Sequence, residues 1–298
     1  MSIFIGVIGN CYFDEIYRID KFPAPDDKIT ALDMNVSLGG SATNVSAGLS
    51  KLGLYPRLIS AIGNDTAGKN ITDELKERRI DSSYLTKMRG QTGRTIILLD
   101  ENKSSTKIGY PGVCEDLKKA LKFTKSMDET FDIIHMASIR IDTAEMVINN
   151  NFSRQFTLDF GARTLEATDE EIFEFLSKID LAFFNRNVFK RLYPNTTLEI
   201  KNIEKIDFPC NIVITAGSEG IYAKIDGKTY FQPIFPVKAV DTTGAGDAAA
   251  AVILWGYINK KDWELIIKYA AAAAALKLKT FGASNGHPSI EQIEKFIK

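Results

Sequence analysis

From residue 132 onward, apolar segments of strand length alternate with segments of helical spacing, and this alternation constrains the fold more than any other feature of the chain. Short apolar segments of this kind are expected for strands that are buried on both faces of a sheet. Strands that alternate with helices favour a parallel sheet covered by helices on both faces. The predicted strands are 132–136, 155–159, 181–184 and 211–214, and the predicted helices are about 143–150, 169–177 and 187–192.

The amino-terminal part extends this pattern and adds two β-rich segments. Residues 11–38 alternate apolar and polar positions around the Phe-Pro-Ala-Pro sequence at 22–25, which indicates an antiparallel pair of strands joined by a turn. The second β-rich segment spans 92–110, and together the two predict a small separate sheet. Further strands are predicted at 3–8 and 58–63, and further helices at 41–52 and 68–79.

The carboxy-terminal part predicts a hairpin and two helices. The hairpin covers 220–231 and turns at Asp226-Gly227, a sequence typical of two-residue hairpin turns. The helices are 263–277, which contains a run of alanines that permits close approach of a neighbour or a ligand, and 289–297. The chain shows no internal repeat and no low-complexity linker.

Charge and cysteine usage exclude several functional classes. The 298 residues carry a net charge of −1 with no basic run, which argues against nucleic acid as a partner. The three cysteines lie far apart and the two histidines are too few for a histidine-based metal site, so a cytosolic protein is expected. The start of the chain lacks the basic region of a signal peptide, and the longest apolar stretch, Tyr269 to Leu276, is too short to span a membrane. We therefore expect a cytoplasmic location and no membrane partner.

The most informative motif for function is Asp-Thr-Thr-Gly-Ala-Gly-Asp at 241–247, which runs directly into a strong helix-forming segment. A glycine turn before a helix exposes backbone N–H groups that have no intrahelical partner, and the helix dipole adds positive potential there. Such a turn binds anions. A carboxylate beside it would repel a bound anion, but it can accept the proton of a hydroxyl that attacks a phosphoryl group. The motif therefore suggests phosphoryl transfer to an alcohol.

Ordinary helix-start chemistry is the alternative interpretation of the 241–247 motif. An aspartate at a helix N-cap and glycines before a helix are common and require no function. The segment taken alone leaves both interpretations open.

Three further features follow predicted strands, where the ligand sites of open parallel sheets lie. Asp14 comes shortly after the first strand. Gly39-Gly40 opens the helix that contains Asn44, and glycines let a substrate approach the backbone closely. Residues 215–220 form a second glycine-rich turn after a strand. Each is an ordinary turn when taken singly, but their joint occurrence favours a ligand site.

In these motifs and their order, the chain resembles the ribokinase/PfkB family of carbohydrate and nucleoside kinases nearly from end to end. The matching positions are Gly9 with Asp14, 22–25, Gly39-Gly40 with Asn44, Leu52-Gly53, 61–65 with Gly68, Thr215 with Gly217 and Gly220, and 241–247. The last of these is the most specific signature. The resemblance implies a ribokinase-like three-layer α/β/α fold with a mostly parallel central sheet. It also implies a single kinase domain over 1–298, with a small β-sheet lid formed by about 11–38 and 92–110.

The same resemblance implies a role for each matching position. Asp247 would be the general base, and the anion hole for the transferred phosphoryl group would be formed by Gly244, Ala245 and Gly246. Substrate hydroxyls would be bound by Asp14, Gly40 and Asn44. The ATP region would be formed by Asn185, Thr215, Gly217 and Gly220, and the monovalent cation K⁺ would bind at Asp241 and Thr243. ATP and Mg²⁺ are the implied cofactors, and relatives often pair their lids in a homodimer.

The chain departs from the family pattern at two informative places. Val188 stands where many members have the glutamate of an Asn-x-x-Glu element that begins here with Asn185, which puts the usual route of Mg²⁺ positioning in doubt. Asp159 matches the family aspartate after another central strand, but residues 160–162 differ from the usual sequence.

The resemblance leaves the substrate open between a small sugar, phosphorylated at a hydroxymethyl group, and a nucleoside. Tyr12 and Phe13 precede Asp14 and tilt the expectation slightly toward a bulkier substrate. The arginines that invite comparison with anion-binding sites are Arg94, Arg140 and Arg163, for which structural ion pairs are the favoured interpretation.

Two other functional classes stand beside the kinase. A non-catalytic relative that binds nucleotide or sugar is supported only by Val188, and the intact Asp247 argues against it. A dinucleotide-dependent oxidoreductase fails because no Gly-x-Gly-x-x-Gly follows the first strand.

Overall fold

The computed structural model describes residues 3–101, 104–123 and 130–298. Within these ranges the strands are β1 (Ile5–Gly9), β2 (Tyr12–Arg18), β3 (Asp33–Gly39), β4 (Arg57–Gly63), β5 (Leu85–Met88), β6 (Arg94–Leu99), β7 (Ser105–Tyr110), β8 (Ile133–Ala137), β9 (Phe156–Asp159), β10 (Leu181–Asn185), β11 (Asn211–Thr215), β12 (Ile221–Ile225) and β13 (Lys228–Gln232). The helices are α1 (Ser41–Lys51), α2 (Thr66–Glu77), α3 (Leu117–Phe123), α4 (Ile141–Asn149), α5 (Asp169–Leu176), α6 (Arg186–Leu192), α7 (Ile200–Ile203), α8 (Ala245–Ile258), α9 (Trp263–Lys277) and α10 (Ile290–Phe296).

A nine-stranded sheet forms the centre of the molecule, in the order β13-β12-β11-β10-β9-β8-β1-β4-β5. The strands from β11 to β5 pair in parallel, while β12 and β13 form an antiparallel hairpin at one edge. The register sets Gly9 of β1 against Ala137 of β8, so the loops after these strands leave the sheet side by side. Carboxyl ends of parallel strands therefore meet at one edge of the sheet, where a ligand site is expected.

Helices cover both faces of the large sheet. One apolar core lies under α1, α2, α8, α9 and α10, and the second lies under α3 to α7. Parallel strands must be buried on both faces, and the near-continuous apolar sequences of β1, β8 and β10 meet this requirement. The predicted three-layer α/β/α class is confirmed.

A four-stranded sheet, the lid sheet, forms separately in the order β3-β2-β6-β7. β2 pairs with β3, and β6 with β7, in antiparallel fashion, while β2 and β6 run parallel. Both β-rich segments predicted from the sequence thus contribute two strands each to one sheet. Residues 102 and 103 of the predicted segment 92–110 lie outside the described residues.

The two faces of the lid sheet differ in chemistry because side chains alternate along each strand. The register places Asp14 beside Ser37 of β3 and Thr95 of β6 on the inner face. The next row, on the outer face, contains Val36 and Ile108, which are 43% and 56% exposed. The inner face is therefore polar near the large sheet, and the outer face exposes apolar side chains around the Glu15–Arg94 ion pair.

Most of the predicted segments are confirmed with boundary shifts of one or two residues. Gly53 ends α1 as expected, in a left-handed conformation with φ of 86°. The hairpin turns at Asp226 and Gly227, with φ of 48° and 80°, as a two-residue turn with positive φ requires. Three elements escaped prediction, namely β5, α3 and α7. Of these, β5 is a four-residue edge strand that is only half-buried, and α7 is a single turn. In the described part of the chain, no helix combines the length and apolar character needed to cross a bilayer.

Helices α1 and α8 approach closely at a glycine. A Cβ atom placed on Gly48 would lie 2.5 Å from the Cβ of Ala251 and 3.1 Å from Nδ1 of His287. The small side chains of both helices thus set the distance between α1 and α8.

We predict that Gly48→Val lowers the free energy of unfolding by about 1–3 kcal/mol, because the added methyl groups overpack the α1–α8 contact. Urea denaturation measures the change. Gly109→Val in β7 is the matched control, since a Cβ atom there meets nothing within 4 Å. Equal stability of the Gly48→Val variant and the wild type would contradict the close contact.

Candidate active site

The 241–247 motif forms a loop that ends in the first turn of α8. Gly244 is the N-cap residue with a left-handed φ of 79°, and a Cβ atom on it would lie 2.4 Å from the carbonyl oxygen of Ala283. No side chain caps the helix, so the N–H groups of its first turn are left to other partners. The exposed Gly246 adds no side chain that would obstruct an anion.

Asp247 does not serve as a helix cap. It follows Ala245 and Gly246 in the first turn of α8, and its Oδ2 accepts a 2.7 Å hydrogen bond from Nδ2 of Asn44. Burial raises the pKa of its carboxyl to about 6, while the Asn44 bond and the charge of Lys277 oppose the shift. A carboxylate with a pKa near the working pH is suited to accept a proton. The N-cap interpretation of this aspartate is therefore not supported.

Asp14 lies on the inner face of the lid sheet and is 5% exposed. A Cβ atom on Gly39 would lie 2.1 Å from its Oδ1, so only glycine leaves room for the carboxylate at that place. Burial raises the pKa of Asp14 to about 6, while a hydrogen bond from Thr95 and the charge of Lys107 oppose the shift.

Two buried oxygen atoms at this site lack a hydrogen-bond donor among the described residues. Across the described ranges, no donor lies within hydrogen-bonding distance of Oδ1 of Asp14 or Oδ1 of Asn44. Buried acceptors are almost always satisfied, so hydroxyl groups of a ligand are suitable partners. Gly40 lies at the start of α1 with φ of 88°. The carbonyl group of Asn10 leaves no space for a side chain at this position.

A cleft of about 600 Å³ brings together the residues expected to bind ATP. Its polar lining includes Asn185, Thr215, Gly217 and Gly220, and the first turn of α8 lines the same cleft through Ala245 and Gly246. The rest of its lining is mainly apolar and comes from Ile221, Ile234, Phe235, Val237, Ala249, Ala271, Ala274, Ala275 and Leu278. The alanines of α9 thus give a flat apolar wall close to the phosphate-binding turn.

Asn185 is the N-cap residue of α6, and its side chain binds the first turn of the helix. Its Oδ1 accepts hydrogen bonds from the backbone N–H groups of Asn187 at 2.9 Å and Val188 at 3.0 Å. Val188 is fully buried in the core, so the position of the family glutamate faces away from the cleft. Arg186, which sequence reasoning missed, lines the cleft and binds the Ala216 carbonyl at 2.6 Å. The position of Arg186 directly after Asn185 is the sequence feature that could have indicated its place in the cleft.

Asp159 is a second carboxylate beside Asp247. It ends β9, and burial together with the negative charge of Asp247 raises its pKa to about 7. A carboxylate whose ionised form is disfavoured by a neighbouring negative charge is suited to a divalent cation, which takes oxygen ligands. The described residues contain no group of three or more His, Cys, Asp or Glu side chains placed to hold a metal ion.

Asp241 holds the loop after α9. Its Oδ1 accepts from the N–H of Thr243 and its Oδ2 from the N–H of Gly282, both at 2.9 Å. Lys277 is fully buried next to this loop and donates to the Gly282 carbonyl at 2.8 Å. Burial lowers the pKa of Lys277, and the charges of Asp241 and Asp247 oppose this effect. No motif marks Lys277 in the sequence, since it simply ends the alanine-rich helix α9.

The lid sheet touches the 241–247 loop through Lys107. This lysine of β7 donates to Oγ1 of Thr243 at 3.1 Å. A pocket of about 170 Å³ separates the lid sheet from the loop, lined by Ile16, Ile97 and Lys107 on one side and by Asp241 to Thr243 on the other.

Taken together, the fold and site define a three-layer α/β protein in which a glycine-rich helix start lies beside a partly buried carboxylate, with a second, smaller sheet at the same site. A family model described as "pfkB family carbohydrate kinase" matches residues 3–290. The chain belongs to this family. It is therefore an ATP-dependent phosphotransferase that acts on a hydroxyl group.

Characterised relatives cover the chain over nearly its whole length. The ribokinase of Bacillus subtilis is 24% identical over 98% of this chain and 99% of its own. An ATP-dependent ribose-1-phosphate kinase of Halopiger xanaduensis is 28% identical, covering 97% of this chain and 96% of its own. The solved structure of a Thermotoga maritima ribokinase superposes with a TM-score of 0.85 at 25% identity, covering 99% of both chains.

We predict that Asp159→Asn stabilises the protein more at pH 8 than at pH 4.5. The folded-state pKa of about 7 lies above the ordinary value of 3.8, so ionisation of Asp159 destabilises the fold as pH rises between these values. The free energy of unfolding of the variant should exceed that of the wild type by on the order of 1 kcal/mol or more at pH 8.

Asp262→Asn, which removes an exposed carboxylate at the start of α9, is the control for loss of a surface charge. Denaturant unfolding at both pH values measures the differences. A gain of equal size at pH 4.5 and pH 8 would exclude the electrostatic origin.

Proposed function

We propose that the protein transfers the γ-phosphoryl group of ATP to a hydroxymethyl group of a small sugar. The observation that carries this proposal is the part-buried Asn44–Asp247 bond at the start of α8, together with the buried carboxylate of Asp14 on the inner face of the lid sheet. Asn44 donates to Asp247 at 2.7 Å, while Oδ1 of Asn44 and Oδ1 of Asp14 have no partner among the described residues. These two oxygens can accept hydrogen bonds from sugar hydroxyl groups.

In the proposed reaction, Asp14 and Asn44 orient the sugar through its hydroxyl groups. Asp247 accepts the proton of the attacking hydroxymethyl group as its oxygen bonds to phosphorus and the bond to ADP breaks. The N–H groups of Gly244, Ala245 and Gly246 stabilise the charge on the transferred phosphoryl oxygens. Phosphoryl transfer depends mainly on such positioning and charge stabilisation, so no covalent intermediate on the protein is needed.

ATP would occupy the 600 Å³ cleft, with its base against the apolar wall of α9 and its phosphates toward the start of α8. Thr215, Gly217 and Gly220 line the adjoining turn, and Asn185 lies at its edge. Mg²⁺ would neutralise phosphate charge during the transfer. The carboxylate of Asp159 suits it as an oxygen ligand, since Oδ1 of Asn185 already caps α6 and Val188 offers no oxygen.

A monovalent cation such as K⁺ would bind next to the anion hole, at Asp241 and Thr243. The pocket of about 170 Å³ between the lid sheet and the loop includes both residues, and the negative charge of Asp241 favours a cation there. The proposal rests on this placement together with the family resemblance.

A nucleoside is the alternative substrate. Tyr12 lies against Gly93, where a Cβ atom would be 2.3 Å from its ring, so this ring packs within the protein instead of facing a base. The arginines also lack free guanidinium groups for an anion, since Arg94 pairs with Glu15 at 2.9 Å and Arg140 with Glu166 at 2.7 Å. Arg163 pairs with Glu115 and Glu166. These contacts favour a small neutral sugar.

A coupled assay of ADP release over a panel of pentoses, hexoses, nucleosides and sugar phosphates tests the substrate class. The proposal expects the highest kcat/KM for a sugar with a free hydroxymethyl group. Higher kcat/KM for nucleosides would select the alternative. ATP binding by calorimetry without turnover of any panel member would favour a non-catalytic nucleotide-binding protein.

We predict that Asp247→Asn lowers kcat by about 10²–10⁴-fold, because the variant removes the proton acceptor while keeping the shape of the site. The wild-type rate should rise with pH through about 6, since Asp247 must be ionised to accept a proton. Steady-state kinetics between pH 5 and pH 8 measures both effects. Asp262→Asn is the control, and wild-type turnover by Asp247→Asn would rule out its role as base.

We further propose that the protein forms a homodimer through the outer face of the lid sheet. This face presents Met34, Val36, Ile96, Ile108 and Tyr110, which are between 37% and 56% exposed. Contiguous exposed apolar side chains on a sheet mark an interaction surface. A second copy of the chain would offer the same surface, as a two-fold dimer requires.

We predict that Ile108→Glu converts the dimer to a monomer, because a charge would be buried at the centre of the interface. Light scattering coupled to gel filtration measures the mass. Ile200→Glu in α7, which is 42% exposed away from the lid sheet, is the control and should leave the mass unchanged. A monomeric wild type, or a dimeric Ile108→Glu variant, would contradict this interface.

A further inference from the structure

A second cleft, the basic cleft, lies on the other side of α9 from the ATP cleft. It has a volume of about 1380 Å³ and is bounded by the ends of α1, α2 and α9 and by α10. No residue lines both clefts, since Ala271, Ala274 and Ala275 face the ATP cleft while Leu276 and Lys279 face the basic cleft. The basic cleft is therefore a separate concave site.

The lining of the basic cleft carries an excess of positive charge. Five cationic side chains and two carboxylates line it, an excess of three in a chain whose net charge is −1. The cations are Lys51, Arg78, Arg79, Lys279 and Lys295, and the carboxylates are Glu77 and Glu291. Apart from Arg78, these cations form no ion pair with any described carboxylate. Their charges remain available to an anionic ligand.

A buried polar side chain also faces this cleft. His287 is 6% exposed, and neither of its ring nitrogens has a hydrogen-bond partner among the described residues. Burial and the charges of Lys277 and Arg78 lower its pKa to about 3, so the ring is neutral and carries one N–H donor. Buried polar groups without partners are rare and call for a ligand or ordered water.

The floor of the basic cleft is the loop that supports the anion hole. Arg78 donates to the Ser284 carbonyl and to Oδ1 of Asn285, both at 2.7 Å. The same loop binds Asp241 through the N–H of Gly282 and packs its Ala283 carbonyl against Gly244. A ligand that contacts this loop from the basic cleft would act on the backbone that sets the position of Gly244.

We propose that the basic cleft binds a small molecule carrying two or more phosphate charges, and that its occupancy alters the rate of phosphoryl transfer. Several unpaired Lys and Arg side chains around one concavity match a polyphosphorylated ligand better than a single charge. The enclosed His287 adds a neutral hydrogen-bonding group. The loop from Thr280 to His287 connects the ligand to the anion hole.

Pyrophosphate is the probe for this site, and the full chain saturated with Mg²⁺ and ADP is the sample, so that the ATP cleft is filled. Calorimetry should detect one further binding event in the wild type. Lys51→Gln/Lys295→Gln should weaken it at least tenfold, and both side chains are exposed on helices, so the variant should fold. Lys205→Gln/Lys228→Gln, which removes two exposed charges elsewhere, is the matched control and should bind as the wild type does.

Absence of saturable binding to the wild type, or unchanged binding to Lys51→Gln/Lys295→Gln, would overturn the site. Inorganic phosphate should bind more weakly than pyrophosphate, and equal affinity would overturn the requirement for several charges. Initial rates at fixed free Mg²⁺ should change at least twofold with pyrophosphate in the wild type and the control but not in Lys51→Gln/Lys295→Gln. Binding without any change in rate would overturn the effector role.

Discussion

The site depends on one hydrogen bond, from Asn44 to Asp247, which joins residues 203 positions apart. The bond is short because α1 and α8 pack closely, and they pack closely because Gly48 meets Ala251 without side chains between them. Any change that separates the two helices would therefore lengthen this bond and leave the Asp247 carboxylate, which α8 itself carries, without its amide partner.

Burial determines the chemistry of the carboxylates at this place. The pKa values of Asp14, Asp159 and Asp247 all lie above the ordinary value because the surrounding side chains exclude water. An excess of negative charge in a dry site destabilises the empty protein, and Lys277 offsets only part of it. Ligands that bring hydroxyl donors or cations relieve this cost. The fold thus holds a site that is less stable when empty than when occupied.

The sequence predicted the layers, the lid sheet and the glycine turns because each depends on local spacing or on a residue type that only one conformation permits. The lengths of the apolar segments predicted the buried strands β1 and β8, and Gly244 predicted the turn before α8. Three features were missed for a different reason. Lys277, His287 and the basic cleft arise where distant segments meet after folding, and no local pattern records that meeting. The edge strand β5 was missed because its half-buried residues lack both periodicities.

Strand β2 of the lid sheet carries different chemistry on its two faces. Along β2, Asp14 lies on the inner face while the next position, Glu15, belongs to the row of Val36 and Ile108 on the outer face. An inserted or deleted residue within β2 would reverse every side chain beyond it. It would turn the carboxylate outward and apolar groups inward at the same time. The length of β2 is therefore fixed by both faces together.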